Sequence, residues 1–190
     1  MKQASQDKYS KLKKCFPSIF TGLNMLMGIT VIYLMVLNKT PSSKMYLPCL
    51  IIFAGIFDCL DGRLARSYNA ESQFGRELDS LADSISFGIA PVTLVVSNLV
   101  RYAGIFGIIA AILFPFAGVF RLARFNVSKP KGYFEGLPIT AAGVGLALKQ
   151  LIVLHLKLDG SHLYIDAYIT SIIMILASYL MISRIRFVKI

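Results

Sequence analysis

Four stretches of this chain, residues 17 to 37, 84 to 100, 104 to 120 and 163 to 182, run almost without a charge. Each approaches the roughly 20 residues that cross a bilayer as a helix, and backbone in hydrocarbon must satisfy its N–H and C=O groups internally, as helices do. Two further stretches, 45 to 66 and 137 to 157, are similarly apolar but carry charges. The pattern predicts an all-α integral membrane protein with six transmembrane helices. One domain is expected over residues 1–190, with a basic juxtamembrane segment at 1–16. Composition agrees, since 56% of residues are hydrophobic and only 16% charged, against roughly a quarter charged in soluble domains. A cleavable signal peptide is not expected, because the first apolar run is longer than a signal core and no small-residue cleavage site follows it.

Twenty Lys and Arg against ten Asp and Glu give a net charge of +10. A basic balance of this kind can mark nucleic-acid binding, but the positions indicate a membrane orientation signal and no nucleic-acid partner. Lys2, Lys8, Lys11, Lys13 and Lys14 precede the first span, and Arg63, Arg66 and Arg76 lie between the second and third. Arg121, Arg124, Lys129 and Lys131 lie between the fourth and fifth, and Arg184, Arg186 and Lys189 follow the sixth. Only Lys39, Lys44, Arg101 and Lys157 fall in the opposite loops. The positive-inside rule therefore places both termini and the two basic loops in the cytoplasm of a multi-pass cell-membrane protein. Residues 2 to 14 are expected to lie against anionic headgroups, each basic side chain contributing about 1 kcal/mol. Cys15, Cys49 and Cys59 show neither disulfide nor zinc spacing and read as small apolar fillers. Tyr46, Tyr102, Tyr164 and Tyr168 fall where interfacial aromatics belong, and Pro91 and Pro115 predict local kinks inside spans three and four.

Six of the ten acidic residues lie between positions 58 and 83, and Asp58, Asp61, Asp79 and Asp83 sit on segments that otherwise read as membrane helix. An unpartnered carboxylate there costs a few kcal/mol. Asp58 and Asp61 are about 60° apart around a helix and Asp79 and Asp83 about 40°, so each pair shares a face. A short loop makes the two helices antiparallel neighbours, and the faces can converge. Four converging carboxylates repel one another unless positive charge lies between them. Oxygen-only ligation suits Mg²⁺, Mn²⁺ or Ca²⁺, and four carboxylates can hold two such ions in the arrangement used for phosphoryl chemistry. The structural alternative is pairing with Arg63, Arg66 and Arg76. Gly62, Ala65 and Gly75 remove bulk beside the acids, and Arg66 offers a planar fork suited to phosphate.

From Asp58 to Asp83 the chain reads D-x2-D-G-x2-A-R-x8-G-x3-D-x3-D. It resembles the CDP-alcohol phosphotransferase family at all eight fixed positions of that signature. The flanking blocks DSLADSISFGIAP, RLARFNV, FEGLPITAAG and FTGLNMLMG look like the phosphatidylserine synthase branch, whereas phosphatidylglycerophosphate synthases usually have Lys where this chain has Ser84. The resemblance implies a homodimer of six-helix protomers with two divalent cations, Mg²⁺ or Mn²⁺, on Asp58, Asp61, Asp79 and Asp83. It implies that Asp83 is also the catalytic base, and that Gly62, Ala65, Arg66, Ser72 and Gly75 hold the CDP moiety, with Thr21 and Asn24 touching the nucleotide by position. The implied partners are CDP-diacylglycerol, or CDP-archaeol, and L-serine within the membrane lipid, giving phosphatidylserine and CMP by direct displacement.

Serine carries a carboxylate that needs a cation. Arg121 and Arg124, with Asn126 nearby, are candidates for it or for the lipid phosphate, and Ser84 and Ser86 are further candidate contacts. Helix serines also bond a backbone carbonyl one turn back, and arginines at that position also serve as topology anchors. Lys149 is expected to snorkel to the outer interface and Asp166 to meet Lys157, while His155 and His162 lie too far from the acids to act as bases. The rivals are another branch of the family, accepting glycerol phosphate, inositol phosphate or an archaeal lipid donor, and a small cation transporter, since intramembrane carboxylates also mark ion pathways.

Overall fold

A computed structural model of the chain describes residues 2–37, 45–67, 72–128, 134–157 and 160–187, with the side chains of 2–17, 65, 66, 134, 135, 160, 161, 186 and 187 outside that description. Helix α1 spans Lys2–Val36 and α2 spans Tyr46–Ser67. Helix α3, Gln73–Asp83, passes through a π-helical segment, Ser84–Ile89, into α4, Ala90–Asn98, and a second π-helical segment, Leu99–Ala103. Helices α5, Gly104–Val127, α6, Ile139–His155, and α7, Gly160–Ile182, complete the bundle. By length and composition Ser18–Val36, Gln73–Val127 and His162–Ile182 can cross a membrane, and Ile139–His155 is a shorter apolar helix. The protein is thus a helical membrane protein.

The 55-residue apolar run from Gln73 to Val127 is not one rod. Gly104 adopts φ +55°, a conformation costly for residues with a Cβ, and the chain folds back there. Asn126 near the end of α5 consequently donates to Glu77 (3.2 Å) and Ser80 (2.9 Å) on α3. A kink was expected at Pro91, and it takes the form of the π-helical segment immediately before it. Proline has no N–H for the carbonyl four residues back, so the ladder shifts and Ala90 N–H donates to Ile85, five residues back. Pro115 is carried within α5. Phe87, Leu99, Phe114, Ile139 and Met174 are among the fully buried side chains that knit this hairpin to its neighbours.

Three features depart from the sequence expectation. The backbone is helical from Lys2, so the basic lead-in continues into the first span; the side-chain contacts expected for residues 2–14 lie outside the described residues. The fold is helical as expected except for one two-residue bridge that the sequence did not signal, where β1, Phe134–Glu135, pairs antiparallel with β2, Arg186–Phe187. Beside this bridge Gly136 N–H donates to Ile185 O (3.0 Å) and Leu137 N–H to Leu180 O (3.1 Å), fastening the start of α6 to the end of α7. Lys149 does not snorkel. It pairs with Asp166 and hydrogen-bonds Thr170 on α7, replacing the expected Asp166–Lys157 contact, because a neutralising partner inside the bundle lies within its reach.

Candidate metal centre

Asp58 and Asp61 lie in the second half of α2, and Asp79 and Asp83 near the end of α3. The hairpin brings one carboxylate oxygen each from Asp58, Asp61 and Asp79 within 4.8 Å of one another. Asp83, 6% exposed, stands against Asp58 within side-chain reach. The convergence expected from the i, i+3 and i, i+4 spacings is therefore present.

Neighbouring helices orient the acids. From α1, Thr21 Oγ1 donates to Asp61 Oδ2 (2.9 Å) and Asn24 Nδ2 to Asp83 Oδ1 (3.3 Å). From the first turn of α6, Thr140 Oγ1 donates to Asp58 Oδ2 (3.2 Å). Such outer hydrogen bonds fix the rotamers of metal-binding carboxylates. Helix α1 can come this close because Gly28 faces the π-helical segment, where a Cβ would meet the Ser86 hydroxyl oxygen at 2.5 Å. Ser86 Oγ in turn donates to Asn24 O (2.9 Å), locking Asn24 from behind.

Three hydroxyl or amide donors do not neutralise four carboxylates. Asp79 Oδ1 is buried with no hydrogen-bond partner. An all-oxygen set of acids with an open acceptor at its centre fits hard divalent cations and could hold them.

The other residues singled out from the sequence occupy varied places. Gly62 is exposed, and a Cβ there would meet nothing within 4 Å, so the space beside Asp61 is open. Ser72 caps α3, its Oγ accepting from Gly75 N–H (3.0 Å), which folds the entry to α3 tightly. The side chains of Ala65 and Arg66 lie outside the described residues. Ser84 Oγ donates back to Ser80 O (2.7 Å), the local bond that helix serines favour. Arg124 donates to Ile182 O (2.8 Å) and Ser183 O (3.3 Å), closing the end of α7, and Asn126 is held by Glu77 and Ser80. Arg121 is buried, interacts electrostatically with Asp83, and leaves Nε without a partner. Thr140 was missed: its block FEGLPITAAG drew attention, but one threonine after a proline gives no sign of a partner 82 positions away.

A family model of CDP-alcohol phosphatidyltransferases matches residues 14–183. The chain is 35% identical over 179 residues to a Helicobacter pylori protein named CDP-diacylglycerol–serine O-phosphatidyltransferase, covering 90% of this chain and 71% of that one. A Bacillus subtilis protein of the same name is 34% identical over 177 residues, covering 90% and 88%. One from Methanocaldococcus jannaschii is 42% identical over 140 residues, covering 74% and 62%.

Proposed function

Because the chain belongs to the CDP-alcohol phosphatidyltransferase family, we propose that it transfers the phosphatidyl group of CDP-diacylglycerol to the hydroxyl of L-serine, giving phosphatidylserine and CMP. The observation that carries this reading is the set of four aspartates, Asp61 and Asp83 buried and Asp58 and Asp79 half-buried, supplied by the signature itself and steadied by α1 and α6.

In this reading Asp58, Asp61, Asp79 and Asp83 hold two divalent cations, Mg²⁺ or Mn²⁺, which when bound supply Lewis-acid charge for the attacked phosphorus and the departing phosphate. Asn24 occupies one oxygen of Asp83 and leaves the other to take the proton from the serine hydroxyl. The serine oxygen forms a bond to the lipid-side phosphorus, the bond from that phosphorus to the bridging oxygen breaks, and CMP leaves with the electron pair. No covalent enzyme intermediate is needed. The open space at Gly62, the tight Ser72–Gly75 turn and Arg66 form the CDP side of the site. The same reading has six helical passes with both ends and the carboxylates at the cytoplasmic face, as the distribution of Lys and Arg supports, and protomers that pair as homodimers, as the family resemblance implies.

The test is CMP release by purified protein in detergent, with an acceptor panel of serine, glycerol phosphate and inositol phosphate, each with and without chelator. Serine- and metal-dependent release is expected. Release with glycerol phosphate alone would remove the serine assignment, and a transporter would release none.

A further inference from the structure

The last carbonyls of a helix find no N–H within it and take donors from elsewhere. At the end of α7 two other segments supply them. Arg124 of α5 donates to Ile182 O and Ser183 O, while from the entry to α6 Leu137 N–H donates to Leu180 O and Gly136 N–H to Ile185 O. Gly136 fits among these oxygens because it has no Cβ. Its φ is +74°, and a methyl there would sit 2.6 Å from Met181 O, 3.0 Å from Ser183 O and 3.1 Å from Leu180 O. Four residues on, Thr140 Oγ1 donates to Asp58 Oδ2. The stretch between the two is stiff. Pro138 has a ring-locked φ, and the fully buried Ile139 fills the space that the missing Cβ of Gly118 leaves on α5, with its Cδ1 3.5 Å from where a Cβ of Gly88 would stand.

We infer that Gly136 and Ile139 are positioning residues for the metal centre, setting the depth of α6 so that Thr140 reaches Asp58. The inference rests on the aspartates holding divalent cations, and it gives the end of α7 a part in how tightly they are held. The Thr140–Asp58 bond is 3.2 Å, at the long limit for a hydroxyl donor, and a few tenths of an ångström more ends it. Threonine is stiff at χ1, so its hydroxyl cannot follow the carboxylate by swinging. A methyl at position 136 has to move from 2.6 Å to the 3.4 Å of ordinary contact, a shift larger than that bond absorbs. The rigid stretch from Gly136 to Thr140 therefore ties the end of α7 to a metal ligand on α2.

The experiment titrates Mn²⁺ into the purified full chain in detergent, without substrates, and follows free Mn²⁺ by electron paramagnetic resonance. Wild type is compared with Gly136→Ala, Ile139→Val, Thr140→Val and Thr140→Ser, and with Thr140→Val combined in turn with each of the first two. Gly136→Ala should weaken Mn²⁺ binding roughly 10-fold, within the range for losing an outer hydrogen bond to a ligand, and Ile139→Val roughly 3- to 5-fold. Thr140→Ser keeps the hydroxyl and should bind Mn²⁺ nearly as wild type does. In the Thr140→Val background neither Gly136→Ala nor Ile139→Val should weaken binding further, since residues acting through one bond are not additive. Equal losses with and without Thr140→Val, or a lowered melting temperature with Mn²⁺ affinity unchanged, would overturn the inference and leave the metal centre standing. Thr140→Ser as weak as Thr140→Val would do the same. Wild-type protein that binds no Mn²⁺ would remove the metal centre and this inference together. Ile139→Val deletes one methyl, so it reads the link even where Gly136→Ala does not fold.

Discussion

Two ionic clusters lie within the bundle, one on α6 and α7 and one on α2 and α3, and they differ in whether they close on themselves. Lys149, Asp166 and Thr170 form one of balanced charge, the lysine meeting both partners across α6 and α7. Asp58, Asp61, Asp79 and Asp83 form the other, where Thr21, Asn24 and Thr140 give only neutral donors and Asp79 keeps a buried bare oxygen. A buried ion pair that is complete is a register device for two helices. A cluster of carboxylates met, among the described residues, chiefly by neutral donors leaves room for cations at its centre. Both contain acids in membrane-like helix, so the presence of such acids is not by itself informative; their partners decide the reading.

The comparison is broken most directly by chelation. Removing divalent metal should abolish CMP release altogether and leave the Lys149–Asp166 pair untouched, with activity returning on adding Mg²⁺ or Mn²⁺. Melting temperature should rise with added metal, since saturation at about 100-fold over Kd contributes about 2.7 kcal/mol. Next in size, Asp83→Asn should cut kcat about 10²- to 10⁴-fold, as for loss of a general base, without lowering the melting temperature of the metal-free protein. A metal-free Asp83→Asn variant that melts earlier than the metal-free wild type would mean that the four acids are structural, like the outer pair.

Lys149→Met should show the reverse profile, destabilising by about 1–3 kcal/mol because the half-buried Asp166 loses its ion-pair partner, with kcat little changed. Adding Asp166→Leu should recover most of that loss in thermal unfolding. Thr140→Val should weaken Mn²⁺ binding about 10- to 100-fold, the usual effect of removing an outer hydrogen bond from a ligand, as read by titration. Smallest of all, Arg124→Gln should lower stability by about 1 kcal/mol through the loss of its bonds to Ile182 and Ser183 and leave the serine KM near wild type.

The carboxylate centre was legible because its information is local. Asp58 with Asp61, and Asp79 with Asp83, are placed by helical spacing, and a loop of a few residues brings the two helices together. The apolar runs gave the helices by the same logic, with α2 recognisable despite its acids. What escaped depends on the rotation and depth of helices far apart in sequence. Lys149 and Asp166 lie on different helices, and nearness along the chain favoured Lys157 wrongly. Thr140 reaches Asp58 only because α6 settles against α2. The sequence blocks announced a special region after Asp83, but the shift of hydrogen bonding before Pro91 changes which side chain faces α1 there, so the Ser86 bond to Asn24 O could not be foreseen from a uniform helical period.

The strap between the two ends of the last helical hairpin has a consequence for how the enzyme is made. Residues 58 to 83 emerge from the ribosome before the segment leading into Thr140, and that segment is fastened to Leu180 and Ile185, which emerge later still. A growing chain therefore carries its acids before it can set them, and α7 has to follow before the segment that carries Thr140 is latched in place.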